Sequence, residues 1–582
     1  MIQCKLIKFT LLGGESDMIT LIPAVKELSI NTGTIKTKAI LAGTATASAR
    51  LNKALTKLPM APDGVALTVT YDNTDGEGYS LTITTDTITI SAESEQAAFW
   101  AIQTLRQVFE AETVPCLTIQ DKPDFKYRGF YHDMTRGKVA TVETIKNLID
   151  VMAYYKMNAL QLYVEHVYEF VECRDINPMT SYLTGAELDE LRAYCEENFM
   201  VFEPSLATFG HMYDILDQEK YHHLRVLKNY ENNVCRWRDR MAHHTIDPKH
   251  PESIELVKSL IDQYDKHFDC QYFNICCDET FDLKNSYPKE EEGNLYIEFV
   301  KNIIAHVKSR GKSVMMWADI LLQHPEHITE LPEDTIFLNW SYGPNPSENN
   351  VAAFQNLGRT QIVCPGTTSW SRFVECIDRE EPNITKMADY GYKYGALGVL
   401  NTNWGDYGNP ASIEMALYGL VLGAAKSWNI ATTPGEAFYA DINTLLYQNA
   451  NAMSYLTAIS TAQNKVNWND TVSSGYKHRN GLEYNPPMDA DRLAAIQEIY
   501  RTVTPKIAAE PSMAGDVKAE MLLALEGICV LGELAAKLSG IETERLTNTA
   551  EFLARYRAKW LEKNKESELS RIEDIFMYCD SI

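Results

Sequence analysis

No run of about 18 apolar residues occurs anywhere in these 582 residues, so no helix is expected to cross a bilayer. Positive charge is in deficit: 54 Lys and Arg face 79 Asp and Glu, a formal net charge of −25. Such a field repels phosphate backbones and anionic lipid, which argues against nucleic acid or a membrane surface as a partner. The sequence has no Gly-rich phosphate loop, no GxSxG nucleophile elbow and no HExxH or CxxC spacing. The adjacent pairs His222–His223 and His243–His244 therefore read as solvated loops, because neighbouring side chains diverge, and neither a metal nor any other cofactor is expected. The first residues carry only a short, lysine-interrupted apolar run and no cleavage site, so a soluble cytoplasmic protein is expected. On that reading the sequons at Asn383 and Asn469 are ordinary surface positions. Of twelve cysteines, Cys276 and Cys277 are adjacent within an apolar run, where they cannot easily bridge; they read as reduced core thiols.

What the chain does have is an alternation of strand and helix. Eight apolar, strand-like runs follow one another from Tyr127 to Asp406: YRGFYHD, NALQLYVE, MVFEPSLA, YFNICCDE, KSVMMWAD, TIFLNWSY, TQIVCPGT and ALGVLNTNWGD. Between them lie stretches long enough for a helix, so a parallel sheet closed into a (β/α)8 TIM barrel over 121–428 is expected. Before it, GYSLTITTDTITISAES alternates apolar and polar residues about an Asp turn, and QAAFWAIQTLRQVFE has helical spacing; together they predict a small α+β domain over 18–120. Met18 opens that domain naturally, which leaves 1–17 as an extension. After the barrel, AAIQEIYRTVTPKIAAE and KAEMLLALEGICVLGELAAKL carry apolar faces at 3.6-residue spacing, predicting a helical domain over 429–582.

Barrel enzymes keep their chemistry at the C-terminal ends of the strands. The fourth run ends in Asp278 and Glu279. An isolated Asp-Glu pair more often caps a helix, but other strand ends carry Arg128 and Asp133, Glu165, Trp317 and Asp319, Trp340, and Trp404 and Asp406. Three tryptophans at one level of a barrel make a concave aromatic wall. Carboxylates set between aromatic rings suit a sugar, whose C–H face stacks while its hydroxyls hydrogen-bond.

These residues resemble a known pattern. ITISAESEQAAFWAIQTLRQVF is similar to the strand and helix ahead of the barrel in glycoside hydrolase family 20 β-N-acetylhexosaminidases. KYRGFYHDMTRG resembles that family's Arg-Gly first strand, CCDE its Gly-Gly-Asp-Glu, FGHM at Phe209–Met212 its Pro-Gly-His, and NWGD at Asn403–Asp406 its Trp-x-Glu. The resemblance covers roughly 18–425. Cys276 and Cys277 replace glycines, Asn274 a usual histidine, and Glu165 a usual aspartate.

The resemblance implies hydrolysis of terminal β-linked N-acetylglucosamine, with N-acetylgalactosamine also accepted, from an oligosaccharide or glycoconjugate. The substrate's 2-acetamido oxygen would attack the anomeric carbon to give an oxazolinium ion. Glu279 would be the general acid and base, and Asp278 would hold the acetamido N–H. Arg128 would grip O3 and O4, Asp406 O4 or O6, and Trp317, Trp340 and Trp404 would wall the subsite. Tyr342 is a candidate donor to the acetamido oxygen, Trp370 a platform for the leaving group, and Glu165 with His211 a relay behind Glu279. Two other readings stand beside this one. The first is a β-N-acetylgalactosaminidase or disaccharide-releasing relative; the second is a glycan-binding barrel without catalysis.

Overall fold

Along Val65–Tyr71 the aliphatic residues Val65, Leu67 and Val69 are buried while Ala66, Thr68 and Thr70 are exposed, the alternation of a strand with one wet face. In the computed structural model, which describes residues 19–41, 48–176 and 181–582, this strand belongs to a six-stranded mixed sheet in the first of two units, Met1–Pro123. The hairpin expected from GYSLTITTDTITISAES pairs Tyr79–Ile83 antiparallel with Thr87–Ala92. The helix Glu95–Val108, capped by the Ser94 hydroxyl, buries most of its residues. The proposed extension 1–17 and the opening at Met18 lie outside the described residues.

The second unit is Asp124–Ile582. Each of the eight runs contributes a strand: β1 Tyr127–Asp133, β2 Ala159–Val164, β3 Val201–Leu206, β4 Tyr272–Asn274, β5 Ser313–Trp317, β6 Ile336–Trp340, β7 Gln361–Cys364 and β8 Gly398–Asn403. All adjacent pairs are parallel, and β8 pairs with β1 to close the barrel. Parallel strands covered by helices are buried on both faces, which is why these runs read as continuously apolar. Tyr131, Tyr163, Met315, Trp317, Leu338, Cys364 and Leu400 fill the interior. Beyond Trp428 the chain is helical, and its long helix Val517–Leu538 is buried along nearly its whole length. Phe373, from the barrel, meets Trp468, Phe552 and Tyr556 of these helices edge to face.

The fourth run departs from expectation. Its apolar residues suggested a strand through to Glu279, but β4 ends at Asn274, and Cys276, Cys277 and Glu279 take left-handed backbone angles, φ 56°, 65° and 48°. Asn383 also departs. It is wholly buried, its amide donating to Ser341 O (2.7 Å) and Gly343 O (2.8 Å) and accepting from Gly366 N (3.1 Å). The lesson is physical: a short polar side chain that can satisfy three backbone groups is a loop staple, and a sequon pattern carries no information about that.

Candidate active site

In a regular strand Asp278 and Glu279 would point to opposite faces. The left-handed turn at Cys276 and Cys277 breaks that alternation, and both carboxylates come to one imidazole: His211 Nε2 lies 3.5 Å from Asp278 Oδ2 and 3.2 Å from Glu279 Oε2. A non-glycine residue in this region costs roughly 1–2 kcal/mol. The two thiols are held in polar niches that offset part of it, Cys276 Sγ 3.4 Å from Ser205 Oγ and Cys277 Sγ 3.3 Å from Thr208 Oγ1. Gly210, beside His211, has no room for a side chain, since a Cβ would stand 2.3 Å from Asp278 O. Burial alone would depress the His211 imidazole, but Asp278 and Glu279 outweigh it and push its pKa up to about 10. His211 is thus a cation between two carboxylates.

Glu279 is further fixed through its backbone, whose N–H donates to Asp319 Oδ2 at 3.0 Å. Burial first, and then the charge of Asp278, lift the Asp319 carboxyl to about 7. Asp319 was visible as a strand-end acid, but its role as the anchor of the Glu279 turn depends on β5 standing next to β4.

Arg128 requires a correction. It is the second residue of β1, at the N-terminal end of the barrel, and at about 3.3 Å per residue it lies roughly 16 Å along the strand from Asp133. Its guanidinium is fully buried and donates to Phe125 O (2.8 Å), Lys126 O (3.4 Å) and Lys156 O (2.9 Å), stacked 5.0 Å from Trp428. The cation at the cleft is Arg136, three residues beyond the end of β1. Asp133 shapes its turn by accepting from Thr135 N (2.9 Å) and Arg136 N (3.0 Å), and reaches across to Gly405 N (3.0 Å). Arg136 stacks 5.0 Å from both Tyr163 and Trp404 and pairs with Glu165 (3.3 Å) and Asp406 (3.5 Å). The second Arg-Gly of KYRGFYHDMTRG carried this signal, since only it follows the strand.

Glu165 sits beside this cation. Its Oε1 accepts from Tyr163 OH at 2.9 Å, and it feels His211 only through space. Asp406, at φ 46°, has its carboxyl raised to about 6 by burial, against the pull of Arg136.

Asp278, Glu279, Trp317, Trp340, Tyr342, Trp370, Trp404 and Asp406 all border one cleft, together with Arg136 and Met241. Trp317 and Trp404 meet at 5.7 Å over Tyr131, and Trp340 stacks on Tyr342 at 5.0 Å with Trp370 edge-on beyond. The Tyr342 hydroxyl accepts from Trp404 Nε1 at 2.7 Å, so its own proton is directed elsewhere, to Thr402 or to a molecule in the cleft. The buried Trp317 Nε1 makes no hydrogen bond to any of the described residues. The Asn383 staple fixes the backbone on either side of Tyr342.

Three groupings of described residues have the ligand types for a metal: His211–Asp278–Glu279, Glu165–His166–Asp214 and the surface trio His223–His250–Glu252. The first is the carboxylate pair itself with its cationic histidine, and the second is flanked by Arg136 and Arg236, which repel a cation. His243 Nδ1 pairs with Asp282 at 2.7 Å, and burial holds His244 down at about 4. A second cavity lies between the β1 and β8 loops and the C-terminal helices, with Lys138, Lys563 and Glu520 on its wall. Its wall lacks the carboxylate pair that borders the first cleft.

The profile of glycosyl hydrolase family 20, domain 2, matches residues 17–122, and that of glycosyl hydrolase family 20, catalytic domain, matches residues 125–415, half of the chain. Among curated relatives, the lacto-N-biosidase of Bifidobacterium bifidum is 21% identical over 415 residues, 68% of this chain and 34% of the relative. The β-hexosaminidases of Porphyromonas gingivalis and Vibrio furnissii are 24% and 23% identical over 53% of this chain, and 43% and 55% of their own length. The chain thus spans about a third to a half of these relatives. Among solved structures, the exo-β-N-acetylglucosaminidase of Vibrio harveyi in complex with N-acetylglucosamine superposes with a TM-score of 0.56 at 17% identity, covering 74% of this chain and 77% of that one. The β-N-acetylhexosaminidase of Bacteroides fragilis gives 0.59 at 16%, covering 81% and 98%. At these identities the superpositions speak for the barrel fold.

Proposed function

Because this chain belongs to glycoside hydrolase family 20, we propose that it is an exo-β-N-acetylhexosaminidase that removes terminal N-acetylglucosamine, and also N-acetylgalactosamine, from β-glycosides. The observation that carries this reading is the convergence of Asp278 and Glu279 on one buried histidine, His211, at the edge of a tryptophan-walled cleft. Glu279, the more exposed of the two, protonates the leaving oxygen and later takes the proton of the incoming water. Asp278, held beside His211, accepts the acetamido N–H and stabilises the charge that develops as the amide oxygen attacks the anomeric carbon. The product is an oxazolinium ion, opened by water with overall retention. Arg136 and Asp406, from neighbouring strands, grip the hydroxyls of the non-reducing end in place of the role expected for Arg128, while Tyr342 and Trp317 offer donors to the acetamido group.

Turnover of an aryl N-acetyl-β-glucosaminide, followed by a panel of defined oligosaccharides, tests the proposal. Release of single N-acetylhexosamine residues from the non-reducing end is expected. Release of a disaccharide would favour the reading that the lacto-N-biosidase relative suggests. Binding without turnover would make the protein a glycan-binding barrel.

A further inference from the structure

The carboxylate of Glu568, between the last two helices, reaches back to the barrel's catalytic face. Glu568 Oε2 accepts from Trp237 Nε1 at 2.7 Å, and its two oxygens accept from Arg240 Nη1 (2.9 Å) and Nη2 (3.2 Å) in a fork. Trp237 and Arg240 lie on the short helix Arg236–Ala242 and are each about 2% exposed. The next residue, Met241, borders the cleft. Arg240 Nη2 also donates to Asp406 O at 3.3 Å, so one guanidinium bridges Glu568 to the backbone of the residue that faces the sugar. The Trp237 ring packs on Gly408 so closely that a Cβ there would stand 2.8 Å away, and Gly137, next to Arg136, packs on Gly408 with a Cβ clearance of 2.3 Å.

The backbone around Glu568 is tied to the same loop. Thr141 N donates to Lys563 O (2.9 Å), Lys565 N to Val139 O (2.8 Å), Val139 N to Ser567 Oγ (3.0 Å) and Glu568 N to Gly137 O (3.2 Å). Burial works against the Glu568 carboxylate, but Arg240 and Arg571 outweigh it and hold the group below its usual range, so it stays ionised.

We propose that Glu568 is a positioning residue for the cleft: through Trp237 and Arg240 it sets where Met241 and Asp406 stand, so the C-terminal helices complete the sugar site. Of the two edges, Asp406 stands in a turn beyond β8 and Met241 on the short helix Arg236–Ala242, and Arg240 is the side chain that joins both to Glu568. Misplacing a sugar-binding group by an ångström weakens ground-state and transition-state binding together, which appears in KM rather than in the chemical step.

The kinetic part of the test rests on the N-acetylhexosaminidase reading; the structural part does not. In the full chain, Glu568→Ala is expected to speed hydrogen exchange over 236–242 and 404–409, and to raise KM for an aryl N-acetyl-β-glucosaminide about tenfold while kcat changes less than about threefold. Glu568→Gln, which keeps an acceptor for Trp237, recovers part of that, and Trp237→Phe moves KM the same way by a smaller factor. Unchanged exchange in those segments, or faster exchange with unchanged KM, overturns the proposal. Should Glu568→Ala not fold, Trp237→Phe decides, and an unchanged KM overturns it. A wild-type chain inert to every N-acetylhexosaminide refutes the glycosidase reading, and the exchange experiment then still decides whether the clamp exists.

Discussion

At the scale of single residues, Glu279 and the two arginines carry the sharpest expectations. Glu279→Gln should lower turnover of natural glycosides by about 10²-fold or more, the usual scale for a lost general acid. Formation of the intermediate from substrates with an activated phenolate leaving group should suffer less, and equal losses for good and poor leaving groups would remove Glu279 from that role. On the proposed reading Arg136→Ala deletes a charged contact to the sugar's hydroxyls, each worth roughly 1.5–3 kcal/mol, so kcat/KM should fall about ten- to a hundredfold. Arg128→Ala should instead take this donor from the carbonyls of Phe125 and Lys156 and lower the melting temperature, with kcat/KM per folded molecule unchanged. The two arginines look alike in sequence, each followed by glycine. Only the rule that function gathers at strand C-termini separates them, because the first opens β1 and the second follows it. His211 gives a pH signature. Its folded pKa, about 10, lies above its ordinary 6.5, so its stabilising contribution is complete below about 6.5 and is lost as pH rises through 10. The urea midpoint of the wild type should therefore fall between those values relative to that of His211→Gln; parallel profiles would contradict the cationic assignment.

At the scale of elements, all eight barrel strands were legible because parallel strands under helices must be apolar on both faces, and each run kept that signature. What the runs concealed was where they stop. YFNICCDE is apolar to its last two residues, yet β4 ends at Asn274, since a run of hydrophobic residues says nothing about the sign of φ. The replaced glycines were the available hint, because glycine is the residue a left-handed turn prefers. Cys277→Gly should accordingly fold and retain turnover within about tenfold, its relieved backbone offsetting part of the lost packing. Cys277→Val, β-branched at φ 65°, should lose stability by about 2 kcal/mol or more, measured by urea titration. A valine as well tolerated as glycine would mean that the turn is not held as described. The parts played by Asp319, Met241 and Asn383 were hidden for a related reason. Each acts from a helix whose neighbour is chosen by barrel closure, and one segment's sequence does not encode what stands beside it.

At the scale of the whole molecule, the barrel and the C-terminal helices form one unit, joined by the aromatic contacts of Phe373 and by the backbone pairing of 563–568 with the loop after Arg136. The amphipathic helices themselves were legible, whereas their return to the catalytic face was not, because a single glutamate between two helices has no periodicity to reveal it. The net charge of −25 is compatible with a neutral sugar in a cleft whose own acids are locally paired to His211 and Arg136. The central claim is that Asp278 holds the substrate's amide while the amide itself attacks. The direct measurement is the inhibition constant of the thiazoline analogue of N-acetylglucosamine, compared with that of N-acetylglucosamine, in the wild type and in Asp278→Asn. A charge-assisted bond to the ring nitrogen is replaced by a neutral one, so the analogue should weaken by about 10²-fold while the simple sugar changes little. Equal weakening of both ligands would contradict the account.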